Sequence, residues 1–352
     1  RFKQAHNIGQ ATVSGERGDV SQEDCNDWYQ RLPDLIEGYE EQDIFNLDET
    51  GLFYRGLPDK TLNVKGTDCT GGKKSKERIT VSLIANAAGD IEKLLVIGKS
   101  AKPRCFRNLQ TTQLGVHWYH NKKAWMTGTI FKEQLTKLNN KLKMKKRHGI
   151  VFVDNARCHT QGLKFSNLKI VFLPANTTSV LQPLDQGIIL QLKKQYKRRL
   201  LRRLVLSADG KTATEATKQI TVLDAIEWLK DSVKHVSPST VQRCFSKCHL
   251  IPSPTTTPSE TPPDSDDEED DIPLAELIRW ASSSLQLPAA MSADEFVGAD
   301  SSIQTCDDYS EGWEERLADE LVHPDSQDDD YETVTPDPRY SCSSSAYLRA
   351  LN

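Results

Sequence analysis

GIVFVDNARCH, residues 149–159, is an unbroken apolar run that ends abruptly in an acid and an amide. A continuous run of that kind is what a strand buried on both faces requires, and such strands sit in parallel pairings covered by helices. An acid at the carboxyl end of the strand points into the crevice where open α/β sheets bind ligands. LKIVFLP (168–174) follows as a second buried run, stopped by Pro174.

Upstream, DIFNLDETGLF (43–53) reads as a strand ending in a turn near Thr50 and Gly51. ERITVSLIANAAGD (77–90) and EKLLVIG (92–98) form the two arms of a hairpin, because a short linker with Gly89 joins them. Residues 123–142 carry Ile130, Phe131, Leu135, Leu138 and Leu142 at helical spacing, with lysines opposite. A second helical face runs from about Leu184 to Leu206 through Ile189, Leu192, Tyr196, Leu200 and Leu204. Trp28, Leu32, Leu35 and Ile36 mark a helix near the start, and a helical pair near 221–234 and 238–248 closes the ordered region. The order of elements predicts a mixed α/β sheet with helices on both sides.

Asp48, Asp154 and Asp185 each lie at the edge of a buried element. The first two close apolar runs, and the third opens a helical pattern. Carboxylates converging from three distant segments suit a divalent cation, Mg²⁺ or Mn²⁺, and phosphate chemistry. Each acid also has a plain structural role open to it: Asp48–Glu49 as solvated turn residues, Asp154–Asn155 as a turn or cap, Asp185 as a first-turn acid that favours the helix dipole. Asn155 is placed to orient a neighbouring carboxylate, and His159 to contact phosphate or move a proton.

Charge is strongly asymmetric. Of 45 basic and 50 acidic residues, 251–352 hold 25 Asp and Glu against 4 Arg, which leaves 41 basic and 25 acidic residues before them. A basic body with an acidic tail points to a polyanionic partner. The clusters are TGGKKSKER (70–78), with Lys73, Lys74, Lys76 and Arg78, and the helix bearing Lys193, Lys194, Lys197, Arg198, Arg199, Arg202 and Arg203. Both are expected to contact phosphates, which sets affinity without reading sequence. KLKMKKRHG (141–149) is read as a solvated helix face or an import signal. PSPTTTPSETPPDSDDEEDD (252–271) has the composition of a disordered segment. IPLAELIRWA (272–281) and EGWEERLADELV (311–322) have short helical patterns suited to a protein partner.

The eight cysteines form no CxxC pair, and Cys244 and Cys248, one turn apart beside His249, read as buried thiols. No stretch approaches the roughly 20 apolar residues that span a bilayer, and there is no secretory signal, so no membrane partner is expected. The chain begins at Arg1 rather than Met, which predicts an upstream segment.

NLDETGLFYRGLP, KERITVSLIANAAGD, LLVIGKSAKPRCF, NKKAWMT, VFVDNARCH and LPANTTSVLQPLDQGII, in that order, resemble the DDE-superfamily endonuclease domain of pogo/Tigger-type transposases. The resemblance spans residues 43–206, and VLDAIEWL and STVQRCFSK resemble the closing helices. RFKQAHNI resembles the end of a centromere-protein-B-type helix-turn-helix. Where many relatives have DNxPAH this chain has DNARCH, which keeps the Asp, Asn and His.

The resemblance implies a ribonuclease-H-like, five-stranded mixed sheet with flanking helices. Its first acid would stand on the first strand, its second after the fourth, and its third on the following helix. It assigns catalysis and Mg²⁺ (or Mn²⁺) binding to Asp48, Asp154 and Asp185. The activity implied is cleavage of DNA phosphodiesters followed by strand transfer, on double-stranded DNA in the nucleus, with a homodimer pairing two ends. The expected organisation is a helix-turn-helix remnant at 1–10, the endonuclease domain at 20–250 and an acidic tail at 251–352. A host-retained nuclear DNA-binding protein without transposition, and another ribonuclease-H-like nuclease or phosphohydrolase, are the alternatives.

Overall fold

The computed structural model describes residues 21–57, 77–207, 213–252, 272–285, 292–301 and 303–306. The helix-turn-helix remnant at 1–10, Lys73, Lys74 and Lys76, the acidic run from 253 to 271 and the segment 311–322 lie outside them.

Helix α1 (Gln22–Ile36) starts where the Ser21 hydroxyl accepts from the Asp24 N–H, and it buries Cys25, Trp28 and Leu32. The chain then enters the sheet through β1 (Ile44–Phe53), β2 (Arg78–Asn86) and β3 (Leu95–Gly98), a fully antiparallel run. β4 (His117–His120) adds to β3 in parallel. After α2 (Gly128–Met144) come β5 (Gly149–Val153), parallel to β1, and β6 (Leu168–Phe172), parallel to β5. The sheet order is β4-β3-β2-β1-β5-β6. This is a mixed sheet with flanking helices, of six strands rather than the expected five. The extra strand, β4, is four half-exposed residues at an edge, too short to leave a period-2 signal.

Two apolar layers cover the sheet. On one face Phe45, Leu47, Val151 and Val153 meet Ile130, Phe131, Leu135 and Leu138 of α2. On the other, Ile44, Leu52, Leu83, Ile150 and Phe152 meet α1 and the helices that follow. The helix expected from residue 123 begins at Gly128, because the Thr127 hydroxyl caps it by accepting from the Ile130 N–H.

The pattern read as one helix from Leu184 is broken. A short helix α3 (Thr178–Leu181) leads into a 3₁₀ turn, Pro183–Gln186, and only then into α4 (Ile188–Leu206). Gly187, at φ 141°, makes the change of direction, a conformation that a side chain would strain. Three helices follow: α5 (Ala213–Lys218), α6 (Val222–Lys234) and α7 (Pro238–Lys247). α6 carries a reciprocal cap between Thr221 and Asp224.

Residues beyond 271 come back to this body. α8 (Leu274–Leu285) lies along α4 with Leu277 and Ala281 buried, and α9 (Ala293–Gly298) buries Phe296 and Val297. The apolar face of 272–281 is thus spent inside the domain. Asp300 then forms an ion pair of 2.9 Å with Lys197, both almost wholly buried, and accepts from the Phe53 N–H at 3.3 Å. Lys197 also sits over the Phe296 ring. Breaking a buried pair from one side strands the other charge. Asp300→Ala is expected to destabilise the protein by about 3–5 kcal/mol, checked by urea unfolding. A loss within the range of exposed pairs would remove this anchor from the account.

Candidate metal centre of three aspartates

β1 and β5 run in parallel with Asn46 opposite Phe152. Continuing that register by two residues brings Asp48 level with Asp154, on the same face of neighbouring strands roughly 5 Å apart. The third acid reaches them through Asn46. This fully buried amide accepts from the Leu184 N–H at 2.9 Å and donates to the Phe152 carbonyl at 2.9 Å. One side chain therefore ties the turn carrying Asp185 to both strands. Asp185 sits in that turn rather than on the following helix.

Asp48 is buried, Asp154 is half-buried and Asp185 is exposed, so the cluster opens toward solvent on one side. Burial pushes the Asp48 carboxyl well above its ordinary range, and the charges of Asp185, Asp154 and Glu49 push it further. The Glu49 N–H, donating to Asp48 Oδ1 at 2.7 Å, opposes that shift. The influence of Asp185 and Asp154 on Asp48 brings the three acids into one electrostatic unit. Burial would also raise Asp154, but the hydrogen bond and charge of His159 outweigh it and hold this carboxyl low. Its Oδ1 accepts from the Ala156 N–H at 3.0 Å and pairs with His159 Nδ1 at 2.7 Å.

His159 does not face a phosphate. Its ring is buried, stacked on Phe131, with Nε2 at 2.9 Å from Glu49 Oε2. Burial disfavours its charge, yet Glu49 and Asp154 raise its pKa well above the usual value. Asn155 orients no carboxylate; it donates to the Leu173 carbonyl at 2.5 Å and clamps the ends of β5 and β6 together.

The basic residues divide. Lys197 is spent on Asp300. Lys193 is buried beside Asp300, Asp48 and Asp185, with its pKa lowered first by burial. Arg78 donates to the carbonyls of Gln304 (2.5 Å) and Lys123 (3.0 Å). These three do not offer themselves to phosphates. Lys194 and Arg203 are exposed, and Arg198 is half-buried against Gln195. In the 141–149 cluster, Lys141 pairs with Glu92 at 2.6 Å, and Arg147 with Glu40 at 2.7 Å and Asp43 at 2.5 Å. The sequence reading missed Asn46, which a buried polar position two residues before Asp48 on a central strand could have signalled.

Residues 76–245 match the family described as DDE superfamily endonuclease. The chain carries a DDE superfamily endonuclease domain. Over 312 residues it is 30% identical to Tigger transposable element-derived protein 4 of Mus musculus, covering 87% of this chain and 58% of that protein. It is 30% identical over 264 residues to CENP-B homolog protein 2 of Schizosaccharomyces pombe, covering 70% of this chain and 50% of that one. With the human major centromere autoantigen B it shares 29% identity over 227 residues, 64% of this chain and 36% of that protein. The chain thus spans about half the length of these first two relatives. Among solved structures it is similar to the Mos1 transposase paired-end complex with left transposon end, at TM-score 0.40 and 14% identity, covering 70% of this chain and 66% of that one. The match to the endonuclease family begins beyond β1, so Asp48 joins the domain's other acids through the register of the sheet.

The raised Asp48 pKa has a consequence for the metal-free protein. Native Asp48 holds its proton more tightly than the unfolded chain does, so nothing is lost below the ordinary carboxylate range near pH 4. Stability falls as pH rises from there through the native value. Asp48→Asn is expected to raise the Tm of EDTA-treated protein at about pH 7 and to leave it unchanged near pH 3. Identical melting of the two proteins at neutral pH would show that the three acids do not repel.

Proposed function

We propose that this domain is a metal-dependent endonuclease acting on phosphodiester bonds of double-stranded DNA, with Asp48, Asp154 and Asp185 as its catalytic, metal-binding acids. The observation that carries the reading is the placement of three carboxylates at one end of the sheet, on β1, at the end of β5 and in the turn before α4, where Asp154 and Asp185 add to burial in opposing the charge of Asp48. Carboxylates that repel one another in a half-open site fit a divalent cation, and an all-oxygen donor set fits Mg²⁺ or Mn²⁺. Bound there, such an ion supplies activation of an attacking oxygen and charge neutralisation at a leaving oxygen.

The protein's own part is positioning. Asn46 holds the Asp185 turn at a fixed distance from β1. The Ala156 N–H and His159 keep Asp154 ionised and aimed. Lys193 offsets part of the negative charge beside Asp48 and Asp185. Holding reacting groups in this way accounts for much of a phosphoryl-transfer barrier, in which little covalent chemistry falls to the protein.

The DNA partner is supported by the excess of basic residues before residue 251 and by exposed Lys194 and Arg203 on α4. A nuclear location and pairing of two copies follow from cutting two DNA ends. A second reading, a DNA-binding protein that has kept the site but does not transpose, is favoured by relatives named for centromere proteins.

Asp154→Asn is expected to abolish Mg²⁺-dependent nicking of supercoiled plasmid and to keep DNA binding in a gel-shift assay. Nicking that survives this change sinks the catalytic assignment. Nicking absent from the wild type, with binding intact, selects the second reading. Asn46→Ala, which touches no substrate, is expected to loosen the turn carrying Asp185 and weaken Mg²⁺ binding about 10- to 100-fold, the range typical when the shell that orients metal ligands is disturbed. Magnesium titration followed by tryptophan fluorescence or calorimetry measures it.

A further inference from the structure

On the opposite face of β1 from Asp48 lies a second group of donors, of which the endonuclease reading uses only His159, and only through its Nδ1 contact with Asp154. Glu49, Cys158 and His159 are all buried, and their donor atoms lie within 4.8 Å of one another. Cys306, the last described residue of the returning C-terminal segment, packs against the same cluster beside Cys158, outside the 4.8 Å group of the other three donors. We propose that Glu49, Cys158, His159 and Cys306 form a zinc-class metal site that pins the C-terminal segment to the sheet.

The donor set selects the metal. Two sulfurs, an imidazole nitrogen and a carboxylate oxygen suit four-coordinate Zn²⁺, whereas Mg²⁺ takes oxygen. The surrounding partners are already in place. Asp154 Oδ1 takes the Nδ1–H of His159 at 2.7 Å, which leaves Nε2 aimed at the group. The Ser82 hydroxyl donates to Glu49 Oε1 at 3.0 Å, which leaves Oε2 on the inner side. A carboxylate behind a ligating histidine and a donor behind a ligating carboxylate are what orient the ligands of protein zinc sites.

An ion pair between Glu49 and His159 accounts for two of the four residues. It does not account for two thiols brought there from separate segments. Cys158 is fixed in the turn after β5, where the His159 N–H donates to the Ala156 carbonyl. Cys306 is delivered by a strap whose neighbours are each held: Ile303 packs on Gly51, Gln304 accepts from Arg78, and the Thr305 carbonyl accepts from the Met126 N–H at 2.7 Å. Binding would displace the two thiol protons and the proton on Nε2, with no change of oxidation state. The metal would close a loop of sheet, turn and C-terminal strap, and through His159 it would also brace Asp154.

The test uses the full chain, purified without chelator and dialysed against metal-free buffer. Inductively coupled plasma mass spectrometry is expected to find one zinc per chain. Cobalt(II) added to the zinc-stripped protein is expected to give thiolate-to-cobalt charge-transfer absorption and the strong visible bands of a tetrahedral site. Cys158→Ser and Cys306→Ser should each reduce the charge transfer and the double variant should abolish it, and Ser82→Ala should weaken zinc about 10- to 100-fold. If Cys158→Ser fails to fold, Cys306→Ser on the half-buried strap, checked by circular dichroism, decides. Wild-type protein without zinc and without cobalt–thiolate absorption overturns the proposal, as does thiol counting that finds Cys158 and Cys306 joined in a disulfide.

Discussion

A single buried amide, Asn46, fixes the geometry on which the candidate metal centre depends. Its side chain bridges the Phe152 carbonyl and the Leu184 N–H, so β1, β5 and the turn before α4 are registered against one another at one point. A buried amide is worth keeping only where both of its ends are satisfied, since an unpaired donor or acceptor there costs on the order of 1–3 kcal/mol. Here both ends find backbone. The parallel pairing of β1 with β5 levels Asp48 with Asp154, and Asn46 adds Asp185 from a segment about 140 residues further along the chain.

The electrostatics of the site run against stability. Asp48 is buried among other acids on the strand at the centre of the sheet, and no cation pairs with it directly in the described contacts. Lys193 compensates partly, but it is itself buried and shared with Asp300. A sheet that had only to fold would place an apolar residue at position 48, next to Leu47 and opposite Leu83. The cost of that buried charge is carried by the apolar layers on either side.

How much of this could be read from sequence depended on how local the determining force was. The strands 149–153 and 168–172 were legible because double burial writes itself as a continuous apolar run. The hairpin of β2 and β3 was legible from its turn. The break before α4 was not, because Pro183, Leu184 and Gly187 leave the apolar spacing of a helix intact while the Asn46 hydrogen bond and the φ of Gly187 interrupt it. Asp48 and Asp154 came from the ends of legible strands. The inward turn of Lys193 and Lys197 was hidden, since a basic helix face gives the same pattern whether water or a returning acid covers it.

That returning acid changes the meaning of the charge asymmetry. Counted from the sequence, the acidic residues beyond 250 look like a solvated tail set against a basic body. Asp300 belongs to neither category: it enters the body and neutralises Lys197 beneath α9. Two lysines one helical turn apart on α4 would otherwise share a buried position next to the aspartates, and one of them has its counter-charge supplied from about 100 residues away. The compact unit accordingly takes in residues past the proline-rich acidic run at which composition alone would end it. The C-terminal strap is therefore a structural neighbour of the candidate metal centre, close enough that Asp300, Asp48 and Asp185 act on the same lysine.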